Sequence, residues 1–98
     1  MDKFTICVIY QANDDASRKS FLNELKEAGV IDLIRKEDGC LKYEYYFSVD
    51  DDCKIVLFEE WKNQDCQRVH MTQPHMKTAA EIKSKYIESV QLKEIKFV

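Results

Sequence analysis

Residues 40–61 read CLKYEYYFSVDDDCKIVLFEEW, and the order of apolar and polar side chains in this stretch decides the fold. CLKYEYYFSV sets Leu41, Tyr43, Tyr45 and Phe47 on one side and Lys42, Glu44 and Tyr46 on the other, which is the two-residue period of a strand. KIVLFEEW repeats that period, with Ile55, Leu57, Glu59 and Trp61 sharing a face. Asp50, Asp51 and Asp52 make a polar connection between the two runs, so they form an antiparallel hairpin. Consecutive aspartates raise the question of calcium. An EF-hand needs spaced oxygen ligands, a mid-loop glycine and a distal glutamate, and this loop offers a solvated turn instead.

Working outward, Asp38-Gly39 is a turn signal just ahead of the hairpin. FTICVIYQ at residues 4–11 alternates Phe4, Ile6, Val8 and Tyr10 against Thr5, Cys7, Ile9 and Gln11, a strand with both faces substantially apolar. Asn13, Asp14 and Asp15 then offer capping side chains and negative charge to the first turn of a helix. Phe21, Leu22, Leu25 and Ala28 follow at helical spacing, and beyond Gly29 the apolar run resumes in a shifted phase at Val30, Ile31, Leu33 and Ile34. Two short helices joined near Gly29 are expected.

Downstream, Asn63 caps a short helix carrying Cys66, Val69 and His70 on one face. Pro74 suits the first turn of another helix running through Met76, Ala79, Ala80, Ile82, Tyr86 and Ile87, and residues 90–98 form a last strand. The order βααββααβ is that of a ferredoxin-like α+β domain, an antiparallel sheet with helices on one face. Thr5, Cys7, Ile9, Val56 and Phe58 then leave the other face apolar and uncovered. An apolar patch of that size predicts a homodimer in which two sheets pack face to face across a two-fold axis.

Composition sets the outer limits. With 98 residues, 45% hydrophobic and 34% charged, and only two glycines and one proline, the sequence excludes collagen-like, low-complexity and disordered classes and is read as one domain over residues 1–98. The longest run free of charge is ten positions, residues 4–13, whereas a bilayer-spanning helix needs about 20 apolar residues. Met1-Asp2-Lys3 leads directly into a strand pattern with no secretory h-region, so a cytoplasmic location is expected. The net charge is −3 and the basic residues are dispersed, which argues against nucleic acid as a partner. Cys7, Cys40, Cys53 and Cys66 have no CxxC spacing and read as reduced thiols.

The sequence has no glycine-rich phosphate loop, no GxSxG elbow and no HExxH helix. What remains is a set of aromatic residues with Glu59, Trp61, His70 and His75. A histidine on a covering helix meets only the strand face turned toward it, so His70, Trp61 and Glu59 are expected to converge between sheet and helices. The surrounding pocket is lined by Tyr, Phe and Met, with Tyr43, Tyr45 and Met76 as the expected ligand contacts, and it suits a flat aromatic molecule. A carboxylate on an otherwise apolar face must be paired, neutralised or used, and pairing of Glu59 with a helix Lys or Arg is the simplest outcome. His70 and His75 flank Pro74, so they are not a one-turn metal pair, and His75 is expected near its helix start, in solvent.

RKEDGCLKYEYY at residues 35–46, LFEEW at 57–61, His70, and Pro74-His75-Met76 together resemble the antibiotic biosynthesis monooxygenase family. The resemblance covers nearly the whole chain, including Ala16, Arg18, Phe21 and Leu25 in the first helix. Its most specific elements are the Glu37-x-Gly39-Cys40-Leu41-x-Tyr43 run, the Glu59-x-Trp61 pair and the histidine nine residues after the tryptophan. It implies a dimeric α+β barrel with a pocket in each subunit and, in some members, oxygenation of phenols, quinols or anthrones by O₂ with no cofactor.

Such chemistry faces a spin barrier that a phenolate or enolate lowers by giving up one electron, so the protein supplies a base, donors for the anion and a dry cavity. His70 is then the expected base or anion donor, with Trp61 as donor and stacking wall and Glu59 as orienting group. The family's haem-degrading branch fits less well, because its first-strand asparagine has no counterpart in residues 4–11. Its isomerase branch would use the same His and carboxylate types on a small phosphorylated carbonyl compound, for which the sequence shows no clear basic cluster. A non-catalytic dimer that binds a hydrophobic ligand is the alternative outside enzymology.

Overall fold

The computed structural model describes residues 3–97. Eight elements follow in the order β1 (Phe4–Ala12), α1 (Asp15–Glu27), α2 (Val30–Arg35), β2 (Cys40–Phe47), β3 (Lys54–Trp61), α3 (Gln64–His70), α4 (Pro74–Tyr86) and β4 (Ile87–Ile95). The four strands form one antiparallel sheet in the order β2-β3-β1-β4. This is the expected ferredoxin-like α+β architecture, with the helices on one face.

Local chemistry starts the helices where the sequence predicts. Asp14 accepts a hydrogen bond from the Ser17 amide at 2.7 Å, and Asn63 does the same for Cys66 at 2.9 Å, each satisfying an amide left free in a first turn. Gly29, at φ +74°, turns the chain between α1 and α2. The helix side of the sheet carries Ile6 and Val8 of β1 and Ile55, Leu57 and Trp61 of β3, all nearly inaccessible to solvent, packed under Phe21, Leu25, Val30, Ile34 and Ile82. The opposite face carries Cys7, Ile9, Val56 and Phe58, only half buried, and Tyr46, half exposed.

Two expectations need correction. The last strand begins at Ile87, immediately after α4, and not at residue 90; β1 pairs it from Ala12 opposite Ile87 onward, and the Asn13 amide binds the Tyr86 carbonyl at 3.0 Å. Edge pairing with a buried strand outcompetes the helical period that Ile87 continues. Residue 98 of that expected strand, like residues 1 and 2, lies outside the described residues. In β2 the register shifts between Cys40 and Lys42, so Cys40 faces Trp61 and Leu41 is turned outward, 52% exposed. A bulge places one extra residue against its partner strand and breaks the alternation there.

Arg18, buried on α1, ties down the Asp-rich hairpin loop. Its guanidinium donates to the carbonyls of Ser48, Asp51 and Lys54 at 3.2–3.3 Å and lies 4.1 Å from the Phe47 ring centre. The aspartates of that loop serve the turn: Asp51 accepts from the Cys53 amide at 2.9 Å. No described helix is long and apolar enough to cross a membrane.

Candidate functional site

The alternation in β3 brings Glu59 and Trp61 onto the helix side, and α3 ends with His70 above them. The Trp61 indole N–H donates to Glu59 Oε1 at 2.9 Å. The imidazole of His70 lies over the indole, ring centres 4.7 Å apart and planes tilted by 34°, and meets the edge of Tyr43 at 5.8 Å. Trp61, His70 and Glu59 are 0%, 1% and 5% exposed. The three residues thus come together, with the indole N–H committed to the carboxyl group and the imidazole held by stacking.

The expected Lys or Arg partner for Glu59 is replaced by the Trp61 N–H; among the described residues no cation pairs with it. Burial pushes the Glu59 carboxyl up to about 7, against the indole hydrogen bond and helped by the nearby Glu37 charge. A neutral indole stabilises the anion less than a guanidinium would, so desolvation dominates.

Glu37 was not singled out as a functional side chain by its sequence surroundings, yet it organises this end of the molecule. His70 Nδ1 lies 2.9 and 3.1 Å from its two carboxylate oxygens, and His75 Nε2 lies 2.6 Å from Oε2. A carboxylate accepts and does not donate, so Nδ1 of His70 carries the proton and Nε2 keeps its lone pair. Burial holds the His70 imidazole below its ordinary pKa despite the opposing pull of Glu37. His75 is not in solvent as expected: its side chain is 15% exposed and completes the His70–Glu37–His75 cluster. Among the described residues no group of three His, Cys, Asp or Glu is placed to hold a metal ion.

Gly39 permits this arrangement. It sits at φ +80°, and a Cβ there would lie 2.4 Å from Cys66 Sγ and 2.8 Å from Cys66 Cβ. The close approach lets α3 lie down on the turn that carries Glu37. The one sequence signal for Glu37 is its fixed distance from this glycine in the Glu37-x-Gly39-Cys40 run.

Beside the cluster, the helices, β1 and β2 border a half-open cavity of about 500 Å³. Tyr43, Tyr45 and Met76, the expected ligand contacts, line it together with Tyr10 and Phe21; His70, Trp61 and Glu59 stand behind the wall. Tyr43 belongs to both, touching His70 with its ring and facing the cavity. Tyr10, Tyr45 and Phe21 pack ring against ring at 5.3–6.4 Å. Burial raises the phenol of Tyr45 to about 12 and those of Tyr10 and Tyr43 well above their ordinary value, so all three stay protonated donors at neutral pH. The structure also brings Lys77 and Lys83 to this cavity, a pairing that six positions of sequence separation did not disclose.

Cys7, Cys40, Cys53 and Cys66 are free and half buried. Burial, reinforced by Glu37, pushes the Cys40 thiol up to about 11, away from nucleophilic use.

Known proteins share this architecture. The structure of PA3566 from Pseudomonas aeruginosa superposes with a TM-score of 0.82 at 16% identity, covering 100% of this chain and 96% of that one. Rv0793 from Mycobacterium tuberculosis gives 0.81 at 22% identity over 99% and 96%. In sequence, an uncharacterised Bacillus subtilis (strain 168) protein, YjcS, is 35% identical over 40 residues, a segment covering 41% of this chain and 38% of YjcS. The sequence model of the antibiotic biosynthesis monooxygenases matches residues 7–82, from the middle of β1 to the last turns of α4. The chain belongs to the antibiotic biosynthesis monooxygenase family.

Proposed function

We propose that this protein oxidises a small phenol, quinol or anthrone-like aromatic with O₂ in the cavity, the substrate itself supplying the electrons and no flavin or metal taking part. The observation that carries this reading is Tyr43, which joins a cavity walled by aromatic rings to a buried histidine whose Nδ1 is fixed by Glu37. The volume lies within the roughly 300–1,000 Å³ range of small-molecule sites, and flat rings stack well on such walls.

In this reading His70 is the base, Glu37 fixes its tautomer and Trp61 fixes its plane. Glu59 holds the indole in turn, and Tyr43 packs its ring between the imidazole and the cavity. Removing the proton gives an electron-rich anion that reduces O₂; one oxygen atom ends in the product carbonyl and the other in water. Tyr45 and Met76 position the ring. The working unit is a homodimer joined through the sheet face that carries Cys7, Ile9, Val56 and Phe58, because among the described residues that apolar face is only half buried. Sedimentation of the intact protein at twice the monomer mass tests the dimer, and recovery in the cytoplasmic fraction of its host tests the expected location.

The decisive measurement is oxygen consumption by protein freed of metal and flavin, over a panel of hydroquinones, naphthols and anthrones. Uptake by the wild type that falls by about 10²-fold or more in His70→Ala, as loss of a general base does, supports the assignment. Uptake that survives His70→Ala removes His70 from the mechanism. No uptake across the panel turns the reading toward a non-catalytic ligand-binding dimer or an isomerase of phosphorylated carbonyl compounds.

A further inference from the structure

Helix α4 faces the cavity with Met76, Ala79, Ala80 and Lys83, positions i, i+3, i+4 and i+7 of one stripe. Three of these are apolar and two are alanines that leave room. The fourth is a lysine, half buried, where the pattern asks for another apolar residue. Lys77 flanks the same stripe from an exposed position on the cavity rim.

A half-buried ammonium normally finds a carboxylate. Among the described residues neither Lys83 nor Lys77 lies within ion-pair distance of one, whereas Lys85, two positions beyond Lys83, is held by Glu24. The acid on the neighbouring helix is already engaged: Glu24 of α1 holds Lys85 at 2.9 Å and the hydroxyl of Tyr86. Among the described residues no Asp or Glu lines the cavity, in a protein whose net charge is −3. Its other polar groups are the protonated phenols of Tyr10, Tyr43 and Tyr45 and the neutral side chains of Thr72 and Gln73, all able to donate. The ring-lined space is thus closed at one side by two unneutralised cations and opposed by no anion.

We infer that the ligand of this cavity is an aromatic acid, whose ring inserts among Tyr10, Phe21, Tyr43 and Tyr45 and whose anionic group is held by Lys83, with Lys77 assisting from the rim. The inference rests on the aromatic-ligand reading of the cavity and adds a charge requirement to it. A carboxylate and a phosphate monoester share the chemistry that two ammonium groups recognise, and the two are separated by experiment.

Calorimetric titration of the intact protein with 6-hydroxy-2-naphthoate, its methyl ester and 2-naphthyl phosphate tests the inference, with Lys83→Met, Lys83→Glu and Lys77→Met alongside and thermal melts to confirm folding. The acid binds the wild type about tenfold more tightly than the ester at low salt, the scale of one charge-assisted contact. Lys83→Met lowers the acid to the level of the ester, Lys83→Glu reverses the preference, and Lys77→Met has a smaller effect in the same direction. Tighter binding of the phosphate than the carboxylate, lost in Lys83→Met, names phosphate as the anion and upholds the charge requirement. Equal binding of acid and ester to the wild type overturns it while leaving an aromatic cavity in place. Failure of all three probes to bind removes the aromatic-cavity reading and the inference together.

Discussion

Two neighbouring regions under the same helices are built on opposite principles. At one, Trp61, His70 and Glu59 are closed off from water and, with the partly buried Glu37, stacked or hydrogen-bonded to one another. At the other, Tyr10, Phe21, Tyr45, Met76 and two alanines border a half-open cavity. The difference is one of saturation. Buried polar groups stand where each finds a partner, since an unmade hydrogen bond in a dry setting is costly. The cavity wall leaves volume and brings few polar contacts. Tyr43 borders both regions.

The contrast breaks most visibly at Trp61. Trp61→Ala removes the floor beneath His70 and leaves the Glu59 carboxyl with no donor; a loss of about 3–5 kcal/mol is expected, read as a lowered urea midpoint.

Glu59→Gln sharpens it through pH. A carboxyl whose folded pKa stands at about 7, above its ordinary 4.5, contributes stability that is complete below pH 4.5 and is lost as pH rises through 7. The amide cannot ionise and still accepts from the indole. At pH 8 Glu59→Gln is therefore more stable than the wild type, by up to about 3 kcal/mol before local relaxation, and the two converge near pH 4.5. His70 works in the opposite sense: its lowered pKa makes stability fall as pH drops below its ordinary range, so the Gln variant retains an acid limb. Unfolding curves from pH 4 to 9 check both signs.

The smallest effect on stability belongs to the cavity. Ala79→Phe fills existing space and changes stability by less than about 1 kcal/mol, yet it abolishes binding of naphthol-sized ligands. A variant that instead unfolds the protein would show that the cavity is packed more tightly than its shape indicates.

The hairpin was legible from residues 40–61, and with it the shared face of Ile55, Leu57, Glu59 and Trp61, because a strand's side chains alternate whatever surrounds it. His70 was legible as a neighbour of that face, since a short helix after Trp61 has one way to cover it. Glu37 lies in the charged run RKED, which carries no period, so the Glu37-x-Gly39-Cys40 run marked its position and left its partners unread. His75 read as a solvent residue beside Pro74, and Leu41 as a core residue, until a bulge in β2 turned it outward.

The sequence by itself determined the order of elements, the buried side of β3 and the residues that start the helices at Asp14, Asn63 and Pro74, all of which depend on neighbours within a few positions. Only the tertiary structure decided that Glu37 joins two histidines 33 and 38 residues away, that Glu59 takes an indole and no cation, and that Lys77 and Lys83 reach one cavity. Those outcomes depend on distances between separate elements, which are set when the helices pack on the sheet and exclude water from what lies between them.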